Sequence, residues 1–358
     1  MPTILSVSTV NPSFAIKQTD AVELTRALFK DKFKNIERLL KVFDNGEINN
    51  RYLCMPIDWY KHEHDFEERN HLYIEHAVHF GVQAIQKCLV NNRLRRTVHP
   101  SEIDAIFYIS SSGIATPSIE ARIMNQLPFR DDTKRIPIWG LGCAGGAAGV
   151  SRAYEFCRAF PTANVLVLSI EFCSLTFQKE DYSKSNLVGA SLFADGIACA
   201  LISGEQSTIK ARHPSPKIIG TASKFMPHSE GVMGWDVKNS GLHVIFSKSI
   251  PSIITKWLGP FVHEFLGDYE LTNEDITHFI AHPGGKKVLE AYENALHFQP
   301  TKTNISREIL SEHGNMSSPT IIYVLERFIE NKPASQDYGL MAALGPGFCG
   351  ELLLLQWE

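Results

Sequence analysis

Residues 139–157 read WGLGCAGGAAGVSRAYEFC, with Cys143 set among glycines and alanines just before a helical pattern begins. The stretch reads as a strand-to-helix turn. At such a turn the unpaired backbone N–H groups and the helix dipole favour negative charge. A thiol placed there is expected to ionise more readily than a free cysteine. Small flanking residues let the chain turn sharply and let a substrate carbonyl approach, and the Cys143 amide is positioned to stabilise an oxyanion. A plainer reading also stands: glycine and alanine allow close helix packing.

Working outward, strand-length apolar runs alternate with amphipathic stretches. AIFYIS (105–110), NVLVLSI (164–170) and GIACALIS (196–203) are short, continuously apolar and partly β-branched, the pattern of strands buried on both faces. PSIEARIMNQL and GVSRAYEFCRAF between them carry helical spacing. The polar segment SGEQSTIKARHPSPK (203–217), with two prolines, is the best internal boundary. Beyond it THFIAH reads as a strand, KKVLEAYENAL and SPTIIYVLERFI as helices, and ELLLLQW as a closing strand. The expectation is an α/β chain in two halves, 1–205 and 206–358, with no repeat visible in the sequence itself.

The chain has 358 residues, ample for a buried core. Lys plus Arg total 35 against 39 Asp plus Glu, a net charge of −4, which argues against a general nucleic-acid binder. No apolar run approaches the ~20 residues needed to span a bilayer, and the N-terminal residues do not form a signal peptide pattern. Seven cysteines with no CxxC pair suggest neither a disulfide framework nor a zinc knuckle, so a reduced, cytoplasmic setting is expected. Cysteines 88, 157, 173 and 199 fall inside helix or strand patterns and read as small core residues.

A nucleophilic thiol needs a base beside it and donors for developing oxyanions. FIAHPGGKKVLEAYENAL puts His282 at a strand end before Pro283, Gly284 and Gly285. SEHGNMSSPTIIYVLERF puts Asn315 in a glycine-containing loop that runs into a helix. Strand ends and the loops beyond them are where α/β folds expose chemistry.

The set GCAGG, AHPGGKKVL, HGNMSS and GLMAALGPG, in this order and spacing, resembles the type III polyketide synthases, the chalcone-synthase-like branch of the thiolase superfamily. NLVGASLFADG (186–196) is similar to that family's LVGQALFGDG, and the whole-chain pattern is most like bacterial, bacillus-type alkylpyrone synthases. The resemblance implies a thiolase-like fold, two similar halves in a five-layered αβαβα arrangement, and an acyltransferase with a Cys143, His282 and Asn315 triad. Cys143 would take an acyl group from acyl-CoA, paired with His282 as thiolate and imidazolium. His282 and Asn315 would hold the enolate oxygen formed when malonyl-CoA loses CO₂. No metal or other cofactor, no carrier protein and no membrane span are implied; a homodimer is.

The resemblance also assigns a cavity. Phe193 matches the family phenylalanine between CoA tunnel and acyl cavity, while Val244 and Leu344 stand where plant enzymes carry aromatic rings. Ser111, Thr116, Thr176 and Ser317 are the remaining substrate-facing positions. Losing two rings implies a larger cavity and an aliphatic, medium- to long-chain starter, with Trp235 refilling part of the space. Ser111 replaces the cysteine of tetrahydroxynaphthalene-forming relatives, which argues against that product class. Arg38 and Lys41 match CoA-contacting positions, and Asn45 replaces a usual lysine.

Histidines 62, 64, 71, 76 and 79 form no HExxH and read as members of an exposed helix, not a metal site. The competing readings are a priming-class ketoacyl-acyl-carrier-protein synthase, a hydroxymethylglutaryl-CoA synthase (which needs a glutamate not identified in the sequence), a cysteine thioesterase, and a non-catalytic acyl-CoA-binding protein of the same fold.

Overall fold

The computed structural model describes residues 1–358. The first half runs β1 (Thr3–Val10), β2 (Phe14–Lys17), α1 (Gln18–Phe29), α2 (Ile36–Asp44), β3 (Asn50–Leu53), α3 (Phe66–Leu89), β4 (Ala105–Ser110), α4 (Ile119–Met124), β5 (Lys134–Trp139), α5 (Gly145–Ala159), β6 (Asn164–Phe172), α6 (Lys184–Leu192) and β7 (Asp195–Ser203). The second runs β8 (Pro216–Phe225), β9 (Met233–Lys238), β10 (Gly241–Phe246), α7 (Ile250–Gly267), β11 (Ile276–Ala281), α8 (Lys286–Leu296), α9 (Asn304–His313), α10 (Thr320–Glu330), β12 (Tyr338–Gly345) and β13 (Cys349–Trp357).

Nine strands follow the order β11-β12-β13-β8-β1-β7-β6-β4-β5. The two halves join through one residue pair, Thr3 with Lys217. Pairing repeats across that join. In each half the first strand lies antiparallel to the last (β1 to β7, β8 to β13), and the last is antiparallel to its predecessor. That predecessor is parallel to an earlier strand, β6 to β4 and β12 to β11. Only the first half adds an edge strand, β5, parallel to β4. The duplication therefore resides in strand pairing and has no counterpart in repeated residues.

Three apolar cores stack the layers. Helices α5 and α10 lie between the two halves of this sheet, with Ala147, Val150, Ile321 and Val324 packed against Val165, Val167, Met341 and Leu353. Helix α3 covers the outer face of the first half, with Tyr73 and Ala77 against Leu166 and Leu201. Helices α7 and α8 cover the second, with Leu258 and Leu289 against Phe279 and Leu354. Alternation along one strand feeds two cores, Val165 and Val167 facing the middle and Leu166 and Leu168 facing out. This explains why β4, β6 and β7 are buried at every residue and read as unbroken apolar runs. The result is the expected αβαβα sandwich.

One local expectation is corrected. The histidine-rich segment is not a freely exposed helix, because Tyr73, Ala77, Phe80 and Ala84 of α3 bury one face. His76 packs on Phe80 and Phe172, and His64 stacks on Trp59 at 3.7 Å, so the histidines disperse instead of converging. All seven cysteines are free thiols. No helix is long and apolar enough to cross a membrane.

Candidate active site

The two middle-layer helices α5 and α10 start side by side, and their starts carry the candidate groups. After β5, Gly140 and Gly142 take positive φ values of +93° and +46° and turn the chain into the short 3-10 turn holding Cys143. A Cβ on Gly142 would sit 2.8 Å from the Pro346 ring, and one on Gly146 would sit 2.1 Å from the Ser318 carbonyl oxygen. The missing bulk is thus first a packing requirement between the halves. Its chemical consequence follows directly: the Cys143 thiol reaches Ser317 Oγ at 3.7 Å.

From there contacts run to the other candidates. The Ser317 N–H donates to Asn315 Oδ1 at 2.8 Å, which orients the amide and leaves Nδ2 as the donor end. Nδ2 donates to the Gly284 carbonyl at 3.3 Å, in the loop that follows His282. His282 ends the β11 ladder, its N–H bonded to the Ala342 carbonyl at 2.9 Å. Its ring is buried, yet neither ring nitrogen has a partner. Buried polar atoms are normally satisfied, and no protein group satisfies these two. The structure links Cys143, Ser317 and Asn315 by direct contacts and reaches the His282 loop through the Gly284 carbonyl.

Burial dominates the electrostatics. It pushes the Cys143 thiol up to about 11, with Glu171 adding to the rise and hydrogen bonds from Ser317 and Asn315 opposing it. Burial alone pushes His282 down to about 3. Both shifts favour the neutral forms: the cost of desolvating a single charge opposes the thiolate–imidazolium pair that the resemblance implies.

Sequence reasoning missed Glu171. This fully buried carboxylate accepts from the Ser111 N–H at 3.0 Å, Ser111 Oγ at 2.9 Å and Ser318 Oγ at 2.8 Å. Burial raises its pKa, and the serine donors oppose that rise. The available signal was a lone acid in the apolar run NVLVLSIEF. Ser111, expected to face the cavity, is instead turned onto this carboxylate.

A mostly apolar cavity of about 70 Å³ is lined among others by Leu24, Ile57, Thr176, Phe193 and Val244. Phe193 joins it to the site, since its main chain bridges to Asn315. Cys173, read as a core residue, also lines this space. The enlargement expected at Val244 is offset: Trp235 stands directly opposite it on the β9–β10 hairpin. The Trp235 and Phe246 rings pack on Phe193 at 5.9 and 5.5 Å.

Leu344 is outside the cavity. Alternation on β12 sends Leu340, Ala342 and Leu344 to the outer core, and Met341 and Ala343 to the middle layer. Thr116 is exposed on the loop before α4, away from the cavity of its own chain. Arg38 and Lys41 are exposed on α2, one turn apart.

Comparisons with known proteins agree over the whole chain. The family model "Chalcone and stilbene synthases, N-terminal domain" matches residues 1–206, and its C-terminal counterpart matches 217–357. A chalcone synthase-like protein of Bacillus subtilis (strain 168) is 49% identical, covering 100% of this chain and 99% of its own length. The α-pyrone synthesis polyketide synthase-like protein Pks18 of Mycobacterium tuberculosis (strain CDC 1551 / Oshkosh) is 27% identical, covering 98% and 90%. The crystal structure of 1,3,6,8-tetrahydroxynaphthalene synthase from Streptomyces coelicolor A3(2), a bacterial type III polyketide synthase, superposes with a TM-score of 0.93 at 30% identity, covering 99% of each chain.

Proposed function

The chain belongs to the chalcone and stilbene synthase family, the type III polyketide synthases, and is a condensing enzyme of the acyltransferase type; on that premise we propose that it extends a medium- to long-chain fatty acyl-CoA with malonyl-CoA to an alkylpyrone. The reading is supported by the mostly apolar cavity lined by Leu24, Ile57, Phe193 and Val244, whose Phe193 is bridged through its main chain to Asn315; methylenes buried on such a wall each contribute about 0.8 kcal/mol.

In this reading Cys143 Sγ passes its proton to His282 and attacks the thioester carbonyl, releasing CoA thiol and retaining the acyl group on sulfur. Malonyl-CoA then enters and loses CO₂. The enolate oxygen is held by His282 Nε2 and Asn315 Nδ2, and the enolate carbon attacks the acyl-Cys143 carbonyl. A carbon–carbon bond forms, the C–S bond breaks, and the freed thiolate can take the lengthened chain back for another round. The terminal step is ring closure through an enol oxygen onto the thioester carbon, giving the pyrone and releasing the thiol. All acyl groups arrive on CoA, with Arg38 and Lys41 meeting its phosphates. No carrier protein or cofactor takes part, and the free cysteines fit a cytoplasmic setting.

Two features support a homodimer. Strand β5 is an open sheet edge, and Trp139, Phe160 and Ile114 are 51%, 50% and 47% exposed. An open apolar edge is a template for pairing, and Thr116 would then serve the partner's cavity. Sedimentation at twice the chain mass is the expected result; a stable monomer contradicts it.

Chain length tests the acyl assignment. Val244→Phe adds a ring between Trp235 and the cavity and is expected to shift the preferred starter shorter by two or more methylenes. Each methylene displaced costs about 0.8 kcal/mol, roughly fourfold in binding. Mass spectrometry of products from a graded acyl-CoA panel reads the shift. An unchanged length profile would remove Val244 from the acyl wall.

A further inference from the structure

Arg51, on β3, is buried to 2% exposure and forms no ion pair. Its guanidinium is taken up largely by main-chain carbonyls. Nη1 donates to the Ala190 and Phe193 oxygens, both at 2.8 Å, and Nη2 donates to the Ser191 oxygen at 2.6 Å and to Gln18 Oε1. These carbonyls belong to the C-terminal end of α6 and the residue after it. A cation there meets both the unpaired carbonyls and the negative end of the helix dipole.

The same strip of chain is also held by Asn315. The Asn315 N–H donates to the Leu192 oxygen at 2.9 Å, and the Ala194 N–H donates to the Asn315 oxygen at 3.0 Å. Arg51, through the Phe193 carbonyl, and Asn315, through Leu192 and Ala194, thus both hold the Leu192–Ala194 strip. That strip also carries Phe193, the ring at the cavity wall. A buried cation without a paired carboxylate is costly, and an apolar side chain of similar volume would fill the space at less expense. What an apolar side chain lacks is a planar fork able to fix three carbonyls at once.

We propose that Arg51 is a positioning residue for the reaction, setting the donor amide of Asn315 and the ring of Phe193 as one unit through the Leu192–Ala194 strip. The proposal rests on the reading of Asn315 as a donor to the enolate oxygen. It assigns to a residue remote from the reacting atoms the job of keeping that donor in place, where a displacement of about 1 Å can cost 10²-fold in rate.

The test is a double-mutant cycle on malonyl-CoA decarboxylation in the full chain, using Arg51→Met, Arg51→Lys, Asn315→Ala and the Arg51→Met/Asn315→Ala pair. Arg51→Met alone should lower kcat about 10- to 100-fold with little change in KM. Added to Asn315→Ala, it should change kcat by less than about twofold, because the group it positions is already gone. Arg51→Lys should recover only part of the loss, since an ammonium is not a planar fork. An equal loss in both backgrounds, or no loss in either, overturns the proposal. If Arg51→Met does not fold, Gln18→Leu, which removes one of the guanidinium's acceptors, is carried through the same cycle. A loss confined to the Asn315 background then supports the proposal, and an equal loss or none in both backgrounds overturns it. An Asn315→Ala variant of undiminished rate would instead overturn the reading of the site itself.

Discussion

Cys143→Ala is expected to abolish product formation, by at least about 10⁴-fold, while the variant still converts malonyl-CoA to acetyl-CoA and CO₂. The two activities separate because they use different atoms. Condensation needs a sulfur to carry the acyl group, and no other nucleophile adjoins Asn315 except Ser317, whose hydroxyl has no base within hydrogen-bond reach. Decarboxylation needs only a place for the enolate oxygen, the role proposed for His282 Nε2 and Asn315 Nδ2. The enolate formed in the variant has no electrophile to attack, so it takes a proton and leaves as acetyl-CoA. Released CO₂ and acetyl-CoA, measured beside pyrone by mass spectrometry, report both numbers in one experiment. Loss of decarboxylation together with condensation would show that the thiol shares in stabilising the enolate.

Asn315→Ala is the complementary case. Removing one oxyanion donor typically costs ~10²–10³ in rate, and that loss is expected in decarboxylation and in overall turnover alike. Acyl loading of Cys143 should continue, because His282 remains to accept the thiol proton. The orientation of the amide makes the prediction sharper. Asn315 Oδ1 is occupied by the Ser317 N–H and one Nδ2 hydrogen by the Gly284 carbonyl, so the second Nδ2 hydrogen is the donor left for substrate. Asn315→Asp, which keeps the shape and replaces the donor by a charged acceptor, should therefore be at least as damaging as alanine. A variant that decarboxylates normally but fails to load would reverse the roles assigned to the two steps.

Much of this architecture is legible in the residues, for physical reasons. Strands β4, β6 and β7 are covered on both faces, so they appear as continuous apolar runs that no amphipathic helix produces. The turn at Cys143 is marked by Gly142 and Gly146, where a Cβ would meet the Pro346 ring and the Ser318 carbonyl. Features set by pairing across strands are not visible in this way. Leu344 reads as part of a cavity loop, yet its place in the β12 alternation turns it into the outer core. That Trp235 refills space near Val244 follows from the resemblance, and the β9–β10 register that sets the two residues opposite each other is not announced by the neighbours of either. The burial that pushes the Cys143 pKa up and the His282 pKa down is likewise hidden, because depth, unlike position at a helix start, cannot be taken from a motif. Glu171 was within reach, since a lone carboxylate inside a buried strand has to be surrounded by donors.

The most direct test is intact-protein and peptide mass spectrometry of the enzyme mixed with a fatty acyl-CoA in the absence of malonyl-CoA. If Cys143 carries the growing chain, one acyl increment per protein molecule will be found on the peptide containing Cys143, absent from Cys143→Ala and discharged when malonyl-CoA is added. An adduct that never forms, or that sits on another residue and still turns over to product, would contradict that role.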